Sequence, residues 1–320
     1  MQQQKRAASS FLFRTLGVLL AVSLLIVVWI GTHALADDAR PALGQRHAAK
    51  SAKGPVLYYV LEPAAQVTAS AETVALVASL GRPASDFNEL RTALSAAGYR
   101  SIAIESRGVI DWRGGGFSRY GLQDLAGDID AVLTDAGVAR AHLIGHAFGN
   151  RVMRSFATLY PQKTAGLVLL AAGDKTDNMP PDVKEALTRS TLSFLPWSMR
   201  EDSVRFAFFA AGNTIPDYWK TGWSAWGALG QARAAKAVDR QDFHAGGRGP
   251  MLVLQAQEDV IAPSKDAGEV LKAQYGDRVT LVPIAHAGHA LLPEQGARIA
   301  EATLAFLKAH PIEQLSAAAR

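Results

Sequence analysis

The chain has 320 residues, 49% hydrophobic and 19% charged, with no cysteine. This composition suits one sizeable α/β domain with an insertion, and it excludes thiol catalysis, disulfide bracing and cysteine-ligated metals. The formal charge of +4 is no nucleic-acid footprint, because three cations lie in residues 1–36 and the rest of the chain holds 30 basic against 29 acidic residues.

At the N-terminus, Lys5, Arg6 and Arg14 accompany a nearly unbroken apolar run from Leu16 to Ile30, and Ala34-Leu35-Ala36 precedes Asp37-Asp38. That is the pattern of a signal peptide cleaved after Ala36, giving an exported, periplasmic or secreted domain. The competing reading is an uncleaved membrane anchor over residues 15–36, because the uncharged stretch between Arg14 and Asp37 is just long enough to span a bilayer. Either way the domain lies outside the cytoplasm and meets a membrane only through this segment. Residues 37–53 are Ala-rich with little periodicity and read as a linker to a domain over 54–310, followed by a tail over 311–320.

Within the domain, short apolar runs alternate with helical patterns. Strands are expected at Val56–Val60, Thr73–Ser79, Ser101–Glu105, Ala141–Gly145, Ala165–Ala171, Met251–Ala256 and Val279–Ile284. Helices are expected at Asp86–Ala97, Leu122–Ala136, Phe148–Leu159 and Ile299–Ala309. Near-continuous apolar strands between helices predict a doubly wound, mostly parallel sheet of about eight strands, covered on both faces. Between Asp174 and Gly249 the alternation stops. Four of the six tryptophans fall there, Trp197, Trp219, Trp223 and Trp226, so a helical cap over about 175–248 is expected. Its rings would form the cap's own core, line an apolar pocket over the sheet, or do both.

Three motifs carry chemistry. Gly145-His146-Ala147-Phe148-Gly149 has the form of a nucleophile elbow, a sharp strand-to-helix turn that presents a side chain above the sheet. Its centre is Ala147, whose methyl group can neither attack nor carry a proton. Gln257-Glu258-Asp259 closes an apolar strand with a carboxylate, and Gly288-His289 follows the next strand with an imidazole. A carboxylate that orients a histidine is the general-base half of a nucleophilic hydrolase. His286 and His146 read instead as loop and packing histidines, and Gly114-Gly115-Gly116 lacks the Lys-Ser/Thr of a phosphate loop.

With these motifs in chain order, and with the Glu105-Ser106-Arg107-Gly108 turn, the chain resembles the α/β-hydrolase superfamily over about residues 55–310. The resemblance implies an α/β-hydrolase fold with Asp259 as triad acid and His289 as base, and Asp174 as the alternative acid. It also implies an oxyanion hole from the Phe148 N–H and, in the Ser79-Leu80-Gly81-Arg82 loop, the Arg82 N–H. The Arg82 side chain itself reads as solvated. Ala147 is the departure, and it leaves three readings open. The protein hydrolyses a small ester-, lactone- or amide-like substrate without a serine; or it is an inactive relative binding a small apolar ligand; or it is an engineered Ser-to-Ala form of a serine esterase. No metal cluster, nucleotide fingerprint or haem motif is visible, so no cofactor and no metal is expected.

Overall fold

The computed structural model describes residues 2–36, 38–64, 71–111, 119–174 and 179–312, without the side chains of 2–14 and 17. The Gly114-Gly115-Gly116 run lies outside the described residues. Eight strands form one sheet: β1 Gln45–Ser51, β2 Gly54–Leu61, β3 Thr73–Val77, β4 Arg100–Ile104, β5 Ala141–His146, β6 Thr164–Leu170, β7 Met251–Ala256 and β8 Val279–Ile284. Their order is β1-β2-β4-β3-β5-β6-β7-β8, parallel except for the antiparallel pairs β1–β2 and β2–β4. This is the doubly wound, mostly parallel sheet expected from the apolar runs, and β5, which leads into Ala147, stands in its interior.

One strand contradicts its sequence reading. Residues 45–51, expected within a linker, form the edge strand β1, paired residue for residue with β2 from Gln45↔Val60 to Ser51↔Gly54. Only Ala49 of this strand is buried. Hairpin pairing with β2, rather than burial of an apolar face, makes it a strand.

Ten α-helices are described: α1 Gln2–His33, α2 Asn88–Ala96, α3 Leu122–Asp135, α4 Phe148–Leu159, α5 Pro181–Thr191, α6 Trp197–Phe208, α7 Asp217–Lys220, α8 Ala225–Ala237, α9 Gly268–Tyr275 and α10 Leu292–Ala309. On one sheet face, Leu125, Ile129 and Leu133 of α3 and Val152, Met153 and Phe156 of α4 join Leu143, Leu167 and Val253 in a single core. On the other, Leu90 and Leu94 of α2 and Ile299, Phe306 and Leu307 of α10 pack on Leu76, Ile144 and Val168. Each such side chain removed from water contributes about 1.5–3 kcal/mol, so the two cores hold the sheet rigid beneath the site.

Helices α5 to α8 form the expected all-helical cap. Trp219 and Trp223 are buried in its own core with Val204, Phe208 and Ile215, with the Trp219 and Trp223 rings 5.5 Å apart at 82°. Two of the four insertion tryptophans therefore serve the cap's interior. Among the described residues no helix is long and apolar enough to cross a membrane.

Candidate active site

The elbow is built although its nucleophile is absent. Ala147 has φ 48° and ψ −106°, a conformation that costs a non-glycine residue about 1–3 kcal/mol. It is held by its own N–H donating to Leu170 O at 2.9 Å and by Asn150 N–H donating to Ala147 O at 3.2 Å. The flanking glycines are sterically required. A Cβ on Gly145 would meet Asn150 Cα at 2.4 Å, and one on Gly149 would meet Val77 O at 2.1 Å. Helix α4 thus rests directly on the backbone of β3 and β5, which fixes the turn.

The acid and base meet. His289 Nδ1 donates to Asp259 Oδ2 at 2.8 Å, with Oδ1 at 3.0 Å, and both residues are buried. Asp259 Oδ1 also accepts the Ile261 and Ala262 N–H groups at 2.9 and 2.8 Å. The carboxylate therefore serves as turn former and as histidine partner at once, fixed before any ligand arrives. With Nδ1–H committed to the carboxylate, the imidazole's Nε2 is left to accept a proton.

Two residues position this base that sequence reasoning did not assign to it. His146 Nε2 donates to the His289 carbonyl at 2.8 Å, tying the base to the residue next to Ala147. Burial, and secondarily the neighbouring His289, drives the His146 imidazole down to about 3, so it is neutral and acts as a donor. Glu294 accepts the Gly288 and Leu291 N–H groups through Oε2, and the Ala210 N–H and the Asn213 amide through Oε1. It clamps the histidine loop to the end of α6, and burial raises its pKa. The Phe208 ring lies 5.6 Å from the His289 ring in an edge contact and roofs it. The only sequence signal for Glu294 was an acid near the start of the last helix, which reads equally well as ordinary capping.

The oxyanion loop corrects two expectations. Arg82 N–H donates to Ser79 O at 3.1 Å, closing a turn, and is not open to a substrate. Its side chain is wholly buried instead of solvated: it pairs with Asp86 at 2.7 Å, donates to Thr221 O, and lies 4.7 Å from the Trp219 and Trp223 rings. The physical reason is the turn at Gly81, φ +64°, which swings Arg82 under the cap. Gly81 N–H donates to Gln231 Oε1. Among the described residues Leu80 N–H has no protein acceptor. Phe148 N–H, first in α4, has none within its helix by position. Leu80 and Phe148 therefore carry the backbone N–H groups that these two turns leave unspent.

Asp174 does not reach His289. Its Oδ2 accepts Arg240 Nε at 2.6 Å and stands 3.3 Å from His244 Nε2. Arg240 also donates to that His244 nitrogen, and His244 Nδ1 bonds the Tyr275 hydroxyl at 2.9 Å. The alternative acid belongs to a separate polar cluster.

Comparison with known proteins agrees with this fold. Residues 68–296 match the model of the family described as serine aminopeptidase, S33. Epoxide hydrolase B of Mycobacterium tuberculosis is 39% identical over 82 residues, 24% of this chain and 22% of its own length. The match thus spans well under two thirds of that relative. A thermophilic esterase from Thermogutta terrifontis superposes with a TM-score of 0.63 at 22% identity, over 83% of this chain and 100% of its own. A membrane phospholipase A superposes at 0.67 and 19% identity, over 97% of this chain and 99% of its own.

Proposed function

Because the chain belongs to the S33 serine aminopeptidase family of α/β-hydrolases, we propose that it hydrolyses a small acyl ester, lactone or amide through water activated by His289. The carrying observation is the His289–Asp259 pair, held at 2.8 Å and anchored beside Ala147 by His146. Removing the serine hydroxyl leaves room above the Ala147 methyl for one water. His289 Nε2 takes a proton from that water as its oxygen attacks the substrate carbonyl. The Leu80 and Phe148 N–H groups hold the tetrahedral oxyanion. On collapse the acyl–oxygen or acyl–nitrogen bond breaks, and the leaving group takes the proton from His289. The products are the acid and the alcohol or amine.

Without a covalent intermediate the rate enhancement is modest. An oxyanion hole and binding alone give roughly 10³–10⁴-fold over water in triad enzymes stripped of side chains, which suits an intrinsically labile substrate. A second reading is favoured by the roof over the site. His289 and Ala147 are only 4% and 8% exposed, a setting that would equally retain a small apolar ligand without turnover.

The test is a panel of activated esters, lactones, amides and phospholipids, run on the protein as given, on His289→Ala and on Ala147→Ser. The first should turn over substrate without a burst. His289→Ala should lose at least about 10²-fold. Ala147→Ser should gain a burst and react with a fluorophosphonate. A parent with no turnover that still binds apolar ligands would establish the second reading. A folded, inert Ala147→Ser would remove the catalytic one.

A further inference from the structure

The chain that joins the apolar helix to the α/β domain is tied down by a series of hydrogen bonds. His33 O accepts the Ser193 hydroxyl at 2.7 Å. Ala34 O accepts Trp226 N–H at 3.0 Å and lies 3.0 Å from Ser224 Oγ. Ala36 N–H donates to Val109 O at 2.9 Å, and Asp38 Oδ1 accepts Gly222 N–H at 2.9 Å. Arg40 clasps Glu89 and lies 3.6 Å over the Tyr218 ring, and Leu43 O accepts Arg91. Ala34 and Ala36, at 4% and 1% exposure, are as buried as the core. A leader junction must be extended and accessible to its peptidase. This one is folded into the domain, and cutting after Ala36 would strip Trp226 N–H of its Ala34 acceptor and leave the Ser224 hydroxyl only Gly108 O.

The helix on the other side of this connection is the opposite kind of surface. From Leu16 to Ile30 its described large apolar side chains are all exposed, including Leu20, Leu24, Leu25, Val27 and Trp29. They point in every direction around the helix, so no groove on the domain covers them. The sequence is uncharged from Thr15 to Ala36, with Arg14 just before and Asp37 just after. At the domain end, the Trp29 indole N–H donates to Phe194 O in the turn between α5 and α6, and exposed Met199 follows in α6. An indole at the end of an apolar cylinder is the arrangement found at membrane–water boundaries.

We propose that residues 33–36 and 38–43 are a permanent strap of the catalytic domain, and that through it α1 seats the α5–α6 turn of the cap on a lipid bilayer. The strap also reaches the catalytic loop. Ser224, whose hydroxyl faces Ala34, donates its own N–H to Gly81 O at 2.9 Å, so the tether and the oxyanion loop share one residue. The proposal stands whether or not the site turns over substrate, because it rests on the packing of the strap alone.

The full chain, tagged at its C-terminus and produced in a Gram-negative host, is the material for the test. The expected result is a protein extracted only by detergent from carbonate-washed membranes, whose intact mass includes everything through Ala36. It should float with vesicles of equal parts phosphatidylethanolamine and phosphatidylglycerol. A folded, soluble protein beginning at Asp37 would overturn the strap. The paired change Leu24→Lys and Val27→Lys should leave the domain's thermal midpoint unchanged and reduce flotation at least about tenfold, since charges are costly in a bilayer interior. Undiminished flotation of that folded variant would overturn α1 as the element that meets the bilayer.

Discussion

Among the described residues, two carboxylate–histidine pairs lie near the carboxyl ends of the parallel strands, and they are built to opposite purposes. In Asp259–His289 the carboxylate accepts from the ring and from two backbone N–H groups, and no cation intervenes. Nδ1 is occupied and Nε2 is left to act. In the Asp174–His244 cluster the Arg240 guanidinium neutralises the carboxylate and also donates to His244 Nε2. The lone pair a base would need is already spent, and Nδ1 is turned to Tyr275. Residue types do not distinguish the two pairs; the position of one arginine does.

That contrast breaks most sharply in the Ala147→Ser background, where covalent chemistry reports on the base. There Asp259→Asn should lower turnover about 10⁴-fold by favouring the wrong tautomer, while Asp174→Asn should change it less than about threefold. Asp174→Asn should instead cost about 1–2 kcal/mol of stability by leaving Arg240 poorly matched. Steady-state kinetics and urea melts on both variants decide the matter, and equal kinetic losses would mean that the acids were wrongly assigned.

A smaller effect concerns the histidine that supports the base. His146 is held neutral by burial, at about 3 against an ordinary 6.5. The folded state therefore binds fewer protons than the unfolded one below pH 6.5. Stability is full above that pH and is lost as pH falls from 6.5 towards 3, by up to about 1.4 kcal/mol per pH unit. His142, driven down to about 4 chiefly by burial, adds in the same direction. His146→Gln keeps a donor for the His289 carbonyl and should flatten this acid limb by one proton. Urea midpoints measured across the window should show it, and parallel limbs would contradict it.

The smallest effect sharpens the comparison at the elbow itself. Ala147→Gly relieves the positive φ and should stabilise the fold by about 1 kcal/mol. Calorimetry should record a raised midpoint. A lowered one would mean the methyl group has a packing role that outweighs the strain.

How far the sequence carried this picture depended on what kind of signal each part leaves. The central strands were legible because they are buried on both faces and read as unbroken apolar runs. The elbow was legible because Gly145 and Gly149 answer to steric demands that do not depend on the side chain at 147. Strand β1 was not, since Gln45-Arg46-His47-Ala48-Ala49-Lys50-Ser51 buries only Ala49 and is held chiefly by pairing with β2. The Arg82 N–H, expected as a donor to substrate, is spent on Ser79 O, because motif spacing does not report which N–H a turn consumes. His146 acts on a carbonyl far along the chain, and Glu294 reaches Ala210 besides capping its own helix, so a local pattern marks only the capping half of the latter.

The two ends of the sheet carry a consequence of their own. An open sheet exposes unpaired backbone along its outer strands, a standing invitation to strand-by-strand association between molecules. At one end β1 presents Arg46 and Lys50 along its length, so a second copy would meet like charge. At the other, β8 carries Pro283 within its pairing register and so lacks one backbone donor. Neither edge templates a neighbour well, so the sheet itself offers little purchase for strand-by-strand growth.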